Sequence, residues 1–333
     1  MAHSDPALAE ESPLTTAELD DAEALVREAG WNQTAADWRI FLDLGTVHAV
    51  RNSARRVIAT AATLPYGGRF AWISMVLVAG QYRRQGLAKR LLRRCVSDLT
   101  AKRLTPVLDA TPAGRLVYVA LGFQDTWGLQ RLVAPEPDRR STDTAVNADG
   151  LTVRPIGDAD WQALCDYDAL AFGADRSSVL GRLRGRVPGA ELVAWRGDRI
   201  AGFLMGRDGR SATQLGPLVA ENESTAIALL AHGLGGTSGP VYIDLADAKS
   251  EVRRWLDARG FVSQRPFTRM VHGRPTAFDD PARTVAVGLA RVVGDAADGD
   301  ARGHQVGIAR IASHADQGRG IGGGAGGDRR RAE

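Results

Sequence analysis

Long apolar runs are missing from this chain of 333 residues. The longest run lies around residues 71–80, which is too short to span a bilayer. The first residues carry neither a basic segment nor a long apolar one, so no signal peptide is predicted. We therefore expect a cytoplasmic protein without a membrane partner.

Cysteine and histidine are scarce, and this limits the chemistry that the chain can perform. The two cysteines, Cys95 and Cys165, fall in separate helical patterns, which favours reduced, buried thiols over a disulfide. No group of His and Cys residues has the spacing of metal ligands, so no metal is expected. No Ser/His/Asp or Cys/His set at credible spacing occurs either, which argues against a covalent enzyme intermediate.

A large excess of one charge is also absent, since the formal net charge is only +3. That balance does not indicate a nucleic-acid partner. An apolar content of 44% with 24% charged residues is typical of a globular protein, and the length allows two domains with cores of their own. The sequence does not indicate an oligomeric state.

The order of predicted elements occurs twice along the chain. Each unit has two helices, antiparallel strands, a helix, a strand, a further helix, a Gly-Phe pair and a last strand. We predict an α/β (α+β) fold with two tandem domains, each a mixed, mostly antiparallel sheet flanked by helices. The predicted parts are a disordered start (1–13), a first domain (14–134), a linker (135–150), a second domain (151–287) and a disordered Gly/Arg-rich tail (288–333).

The most informative stretch covers residues 77–88, Leu-Val-Ala-Gly-Gln-Tyr-Arg-Arg-Gln-Gly-Leu-Ala. An apolar strand ends there in a basic turn containing Gly86, and an amphipathic helix follows at once. The first amides of a helix are unpaired and the helix dipole is positive at that end, so this stretch predicts an anion site.

This stretch resembles the central motif of the GNAT superfamily of acyl-CoA-dependent N-acyltransferases. The motif is a strand, then Gln/Arg-x-x-Gly-x-Gly/Ala, then a helix, and residues 83–88 fit each fixed position. A second family signature, a Tyr four residues before Gly-Phe, matches Tyr118 and Gly122-Phe123. The two motifs in this order, about 30 residues apart, form a more specific signal than either alone.

The resemblance implies a site for acetyl-CoA as co-substrate. The turn and helix start would wrap its pyrophosphate, and the end of the strand would offer backbone groups to the pantetheine arm and the acetyl carbonyl. The family pattern further implies that this strand splays from the strand at residues 107–108 and that the co-substrate enters the gap between them. The implied binding residues are Val76, Leu77, Val78, Arg83, Arg84, Gln85, Gly86, Leu87, Ala88 and Lys89.

Two residues are candidates for proton transfer. Tyr118 would protonate the departing CoA thiolate, or else it is an aromatic that packs under the sheet. Asp109, at the end of a strand beside the implied gap, could take a proton from the amine directly or through water, or it could cap the helix at Thr111. Ser74 and His48 are weaker candidates for the base.

The second unit resembles the divergent C-terminal domain of a tandem subgroup of this family. It departs from the family pattern after Val219, where Ala-Glu-Asn-Glu-Ser replaces the basic turn and would place Glu221 and Glu223 against a pyrophosphate. The first unit therefore holds the single predicted co-substrate site. Possible acceptor-side contacts in the second unit are Arg265, Arg269, Trp195, Asp175 and Arg176.

The resemblance implies an N-acetyltransferase that moves an acetyl group from acetyl-CoA to an amine by direct attack. The acceptor would be a small-molecule or peptide amine. The alternative is a non-catalytic module that binds an acyl-CoA or an amine ligand and acts as a sensor.

Overall fold

The structure is a computed structural model that describes residues 11–140 and 150–288, all within one compact unit. The strands are β1 (Glu11–Pro13), β2 (Thr46–Arg51), β3 (Val57–Tyr66), β4 (Phe70–Val78), β5 (Thr105–Ala110), β6 (Phe123–Ala134), β7 (Leu151–Pro155), β8 (Leu192–Arg196), β9 (Arg199–Arg207), β10 (Thr213–Ala220), β11 (Val241–Ala246), β12 (Val262–His272) and β13 (Thr284–Val287). The helices are α1 (Leu19–Glu28), α2 (Ala35–Leu44), α3 (Leu87–Ala101), α4 (Pro112–Val119), α5 (Trp161–Phe172), α6 (Ser177–Gly181), α7 (Glu223–Gly235) and α8 (Ser250–Asp257).

All of these strands join one sheet of 13 strands in the order β1-β2-β3-β4-β5-β12-β6-β11-β13-β10-β9-β8-β7. Most neighbours are antiparallel, and the parallel pairs are β4 with β5 and β10 with β11. The predicted fold class, a mixed and mostly antiparallel sheet with flanking helices, is confirmed.

The two halves exchange strands at the centre of this sheet. β12 of the second half lies between β5 and β6 of the first, and β6 lies between β12 and β11. Each half thus completes the sheet of the other, and the two predicted sheets are continuous.

Helices cover both faces of the first half of the sheet. Helix α3 buries Leu87, Leu91, Cys95 and Leu99, which recur at the spacing of one helix face. They share a cluster with residues of β4, β5 and α4, whereas α1, α2 and α5 contribute to the cluster that contains Trp72 and Val107. The layers fix the positions of β4 and β5, between which the predicted site lies.

The start of the described chain corrects one expectation. Glu11–Pro13 form a strand that pairs with β2, so the prediction of disorder over residues 1–13 is wrong for these three residues. The rest of that segment, most of the predicted linker and residues 289–333 of the predicted tail lie outside the described residues. β6 ends at Ala134 and β7 begins at Leu151, while the domain boundaries themselves remain predictions.

Two smaller expectations concern the thiols and the membrane. Cys95 and Cys165 are free and buried, as predicted. Burial raises the pKa of the Cys165 thiol to about 11. No helix within residues 11–140 and 150–288 is both long enough and apolar enough to cross a bilayer.

Candidate acyl-CoA site

A gap opens between the parallel strands β4 and β5. Only Phe70, Ala71 and Trp72 pair with Thr105–Val107, and the strands then diverge. β4 continues to Val78, while the other edge of β5 is taken up by β12. Over the described residues, no strand pairs with this edge of β4 beyond Trp72. The edge can therefore offer backbone groups to an extended ligand.

A β-bulge lies on β4 where it borders the gap. Met75 and Val76 together oppose the single residue Ala61 of β3, and Met75 has a φ of 52°. The Thr60 hydroxyl donates a hydrogen bond to the Met75 carbonyl at 2.8 Å, which holds the bulge. A bulge interrupts the ladder and re-aims backbone groups, and this one does so where β4 borders the gap.

The strand leads into the basic loop that the sequence predicted as an anion site. A 3₁₀ turn over Gly80–Tyr82 is followed by Arg84 with φ 61° and Gly86 with φ 80°, and α3 begins directly after Gly86. A Cβ added to Gly86 would meet no atom within 4 Å, so the backbone angle is what favours glycine here. Residues with alternating backbone hand before a helix form a concavity of N–H groups that suits a phosphate.

Two side chains of the loop donate hydrogen bonds to carbonyls that precede it in the chain. The Arg83 guanidinium donates to the Val78 carbonyl at 3.1 Å, and the Gln85 amide donates to the Gln81 carbonyl at 3.3 Å. Both bonds tie the loop to its own strand end. Arg84 and Lys89 are exposed, so the rim carries positive charge, while Leu87 and Ala88 anchor the helix start in the core.

Tyr118 lies fully buried on α4, in the apolar cluster that also contains Val76, Leu108 and Ala110. Gly114 makes room for it, since a Cβ there would lie 2.9 Å from the Tyr118 ring. The Thr111 hydroxyl accepts from the Gly114 amide at 3.2 Å and caps the helix. The structure thus brings Tyr118 into the same core as the strands that border the gap.

Asp109 does not have the surroundings of a general base. Its carboxylate is fully buried and accepts two hydrogen bonds from the Arg269 guanidinium, at 2.8 and 3.0 Å. A carboxylate held in this bidentate way is poorly placed to receive a proton from an entering amine. It does not cap the helix either, because Thr111 does. Asp109 is therefore corrected from candidate base to buried ion-pair partner.

The two weaker candidates for the base, Ser74 and His48, are also buried inside the protein. Ser74 is buried in β4, and His48 on β2 lies 3.3 Å from Asp98 of α3. Burial lowers the pKa of His48 below its ordinary value of 6.5, against the pull of Asp98. Glu28 of α1 was not considered in the sequence analysis, and its exposed carboxylate accepts from the Gly80 amide at 2.5 Å beside the end of β4.

The predicted acceptor-side contacts in the second half separate into two groups. Arg269 is fully buried, and Arg176 is bound to Asp168 by two bonds of 2.6 and 2.7 Å, so neither faces an acceptor. The remaining candidates, Arg265, Trp195 and Asp175, are half-buried or exposed.

The second half repeats the bulge but closes the gap. Gly216 and Pro217 of β10 oppose the single residue Met205 of β9, as Met75 and Val76 oppose Ala61. Strand β13 then lies between β10 and β11, where Ala286 pairs with both neighbours. A segment of the chain itself thus occupies the position that lies open in the first half.

The loop that follows β10 lacks the anion-binding features of the first half. Glu221 forms salt bridges with Arg196 and Arg199 at 2.9 and 2.6 Å. Asn222 caps α7 by accepting from the Thr225 amide at 2.8 Å, and Glu223 accepts from two amides at the start of α8. Both glutamates therefore form ion pairs or hydrogen bonds within the protein.

No group of three or more His, Cys, Asp or Glu residues in the described parts of the chain is arranged to hold a metal ion. The features assembled at β4 are backbone amides, a positive rim and a buried phenol. They suit an extended ligand with an anionic end.

Comparisons with known proteins identify the family of both halves. Models of the acetyltransferase (GNAT) domain match residues 43–125 and 164–283, one in each half. The uncharacterized N-acetyltransferase YitH of Bacillus subtilis (strain 168) is 22% identical over 240 residues, which cover 71% of this chain and 82% of that protein.

Solved structures with this fold are similar over most of the chain. A provisionally named acetyltransferase from Pyrococcus horikoshii matches with a TM-score of 0.67 at 18% identity, over 88% of this chain and 99% of its own. A tandem GNAT protein from the clavulanic acid biosynthesis pathway matches with a TM-score of 0.56 at 15% identity, over 80% and 99%.

Proposed function

Since the chain belongs to the GNAT acetyltransferase family as a tandem protein, we propose that its first half binds acetyl-CoA and passes the acetyl group to an amine. The observation that carries the proposal is the continuity of the site. The open edge of β4, its bulge and the loop before α3 follow one another within residues 73–89. An extended thioester with a pyrophosphate end fits that order of features.

Each segment has a role in this proposal. Amides of the loop and of the first turn of α3, residues 83–89, hold the pyrophosphate, and Arg84 and Lys89 add positive charge. Backbone groups of Val76, Leu77 and Val78 bind the pantetheine arm as a strand would. Amides at the bulge donate to the thioester carbonyl, and the same bonds strengthen when negative charge develops on that oxygen.

The transfer step then needs one nucleophile and one proton donor. The neutral amine nitrogen attacks the carbonyl carbon and forms the C–N bond, and the C–S bond breaks. The thiolate takes the proton of the Tyr118 hydroxyl, which is ordinarily protonated at neutral pH. The proton that the amine nitrogen loses passes to the Tyr118 phenolate, directly or through water, and restores the hydroxyl. This scheme uses no carboxylate base, in keeping with the bidentate pairing of Asp109.

One chain would carry one acetyl-CoA. The equivalent of Val76 in the second half is Pro217, which has no N–H to donate, and β13 fills the gap beside it. The second half then lines the acceptor side of the site and packs against the first half. We infer that the acceptor is a small-molecule or peptide amine. The N-acetyltransferase name of the B. subtilis relative supports an amine over an alcohol. The free, buried thiols support a cytoplasmic setting.

The test is release of free thiol from acetyl-CoA with a panel of amines, together with mass detection of the acetylated product. We expect at least one amine to give thiol and amide in equal amounts. Binding of acetyl-CoA without thiol release from any amine would contradict transfer and favour the sensor alternative, in which the site binds without chemistry.

A further inference from the structure

Arg269 contacts both strands that border the first-half gap, although it belongs to the second half. Its guanidinium donates to Asp109 of β5 at 2.8 and 3.0 Å and also to Asp279. The same group lies 4.8 Å from the centre of the Trp72 ring on β4 and 4.0 Å from that of Trp127 on β6.

These contacts place Arg269 at the point where the gap begins. Trp72 is the last residue of β4 that pairs with β5, and its partner there is Val107. Asp109 lies two residues further along β5, beyond the last paired position. Arg269 itself is fully buried and pairs in register with Asp109 across β12 and β5. A rigid, planar group is therefore fixed against β4 on one side and β5 on the other.

A matching pair joins the two halves in reverse, with the arginine from the first half and the aspartate from the second. Arg131 of β6 donates to Asp244 of β11 with both bonds at 2.7 Å, and the two residues are again buried and in register. Arg131 holds the pKa of the Asp244 carboxyl below its usual value although burial opposes this. Here, however, Gln214 of β10 also donates to Asp244 at 2.8 Å, and β13 fills the gap. This pair therefore borders no open site.

We propose that Arg269 is a positioning residue, supplied by the second half, that sets the spacing of β4 and β5 for acetyl-CoA. The inference rests on the proposed function. It gives the second half a specific part in the reaction, since the exchanged strand β12 carries the group that fixes the first-half gap.

Lysine is the informative replacement for Arg269. It keeps the charge but loses the planar fork that binds Asp109 at two points and stacks on the indoles. A shift of about 1 Å in a bound reactant can lower turnover about 100-fold. Arg269→Lys should therefore weaken binding of the pantetheine arm and lower kcat. The side-chain contacts of Arg269 lie at the start of the gap, so the loop before α3 should bind its pyrophosphate as before.

The experiment compares Arg269→Lys with Arg131→Lys, which removes the matching fork from the pair beside the closed gap. Kd for acetyl-CoA, Kd for ADP as a pyrophosphate probe without a pantetheine arm, kcat and Tm are measured for both. We expect Arg269→Lys to raise Kd for acetyl-CoA about tenfold and to lower kcat about 100-fold, with Kd for ADP unchanged. Arg131→Lys should lower Tm by an amount similar to that of Arg269→Lys. It should leave both Kd values and kcat within about twofold of the wild-type values.

A milder variant covers the case in which Arg269→Lys does not fold. Asp279→Asn keeps the shape of the side chain but removes one of the two charges that hold Arg269, and it should move Kd for acetyl-CoA and kcat in the same direction. Equal kinetic losses in Arg269→Lys and Arg131→Lys, or wild-type kinetics in a folded Asp279→Asn, would overturn the positioning role. Absence of acetyl-CoA binding in the wild-type protein would instead overturn the proposed function.

Discussion

Val76 and Pro217 occupy the same position in the bulges of the two halves. Each is the second of two residues that oppose a single residue of the neighbouring strand, Ala61 in one half and Met205 in the other. Val76 has an amide to donate at the edge of an open gap, whereas Pro217 has none. The two halves therefore share a fold and differ in what their bulges can bind.

A first prediction concerns β13. Ala286 is buried between β10 and β11, and Ala286→Asp would place a charge there without a partner. We expect thermal unfolding to show a loss of about 3–5 kcal/mol in stability. Thr152→Asp on the exposed face of the edge strand β7 is the control and should change stability by less than about 0.5 kcal/mol. A second bound acetyl-CoA in Ala286→Asp would show that β13 alone had closed the second gap.

Gly86 provides the second prediction. Gly86→Ala adds strain of about 1–2 kcal/mol at a φ of 80° and meets no neighbouring atom, so acetyl-CoA affinity should fall about tenfold. Gly86→Glu adds a negative charge against the pyrophosphate, and the affinity should fall by a further factor of about 100. Titration calorimetry distinguishes the two variants. Equal affinities of both would contradict the assignment of the pyrophosphate site to this loop.

The third prediction tests Tyr118 as the proton donor. Tyr118→Phe should lower kcat about 100-fold with Kd for acetyl-CoA unchanged, because the ring keeps its packing while the proton donor is lost. Tyr167→Phe is the control. Its hydroxyl donates to the Ala201 carbonyl at 3.0 Å in the second half, and burial raises its pKa to about 12. Wild-type turnover of Tyr118→Phe at every pH would exclude the acid role.

Asp109 gives the fourth prediction. Asp109→Asn leaves Arg269 buried with one charge partner fewer, so stability should fall by about 3–5 kcal/mol. The rate should fall as well, since the spacing of β4 and β5 changes. The shape of the plot of kcat/KM against pH should nevertheless match that of the wild type. Loss of its ascending limb would restore Asp109 as the base.

The fifth prediction concerns acid stability. Hydrogen bonds from Arg51 hold the pKa of Glu18 at about 2 in the folded chain, against 4.5 ordinarily. Because the folded pKa is the lower one, the pair stabilises the protein above pH 4.5, and this contribution is lost as pH falls from 4.5 toward 2. Glu18→Gln should therefore be less stable than the wild type at pH 7, and the difference should narrow by pH 3 in urea unfolding. A constant difference would contradict the assignment.

Local features of the site could be predicted from the sequence. The turn at residues 83–88, the helix start after Gly86 and the Thr111 cap depend on residues close together in the chain. Backbone angles and helix ends are set by such short-range chemistry. The repeat of elements also predicted the tandem fold, since each element carries its own periodicity.

Features that depend on distant partners could not be predicted. Asp109 and Arg269 are 160 residues apart in sequence, and only the strand exchange brings them together. An aspartate at a strand end resembles a catalytic base until its partner is known. β13 has only four residues and no periodicity of its own, and its place is defined by β10 and β11.

The stoichiometry of acetyl-CoA binding tests the central claim most directly. Titration calorimetry on the wild-type chain should give one molecule bound per chain, and Gly86→Glu should abolish that binding while Ala286→Asp retains it. Two molecules per chain in the wild type, or a single site insensitive to Gly86→Glu, would contradict the assignment of the site to the gap and loop of the first half.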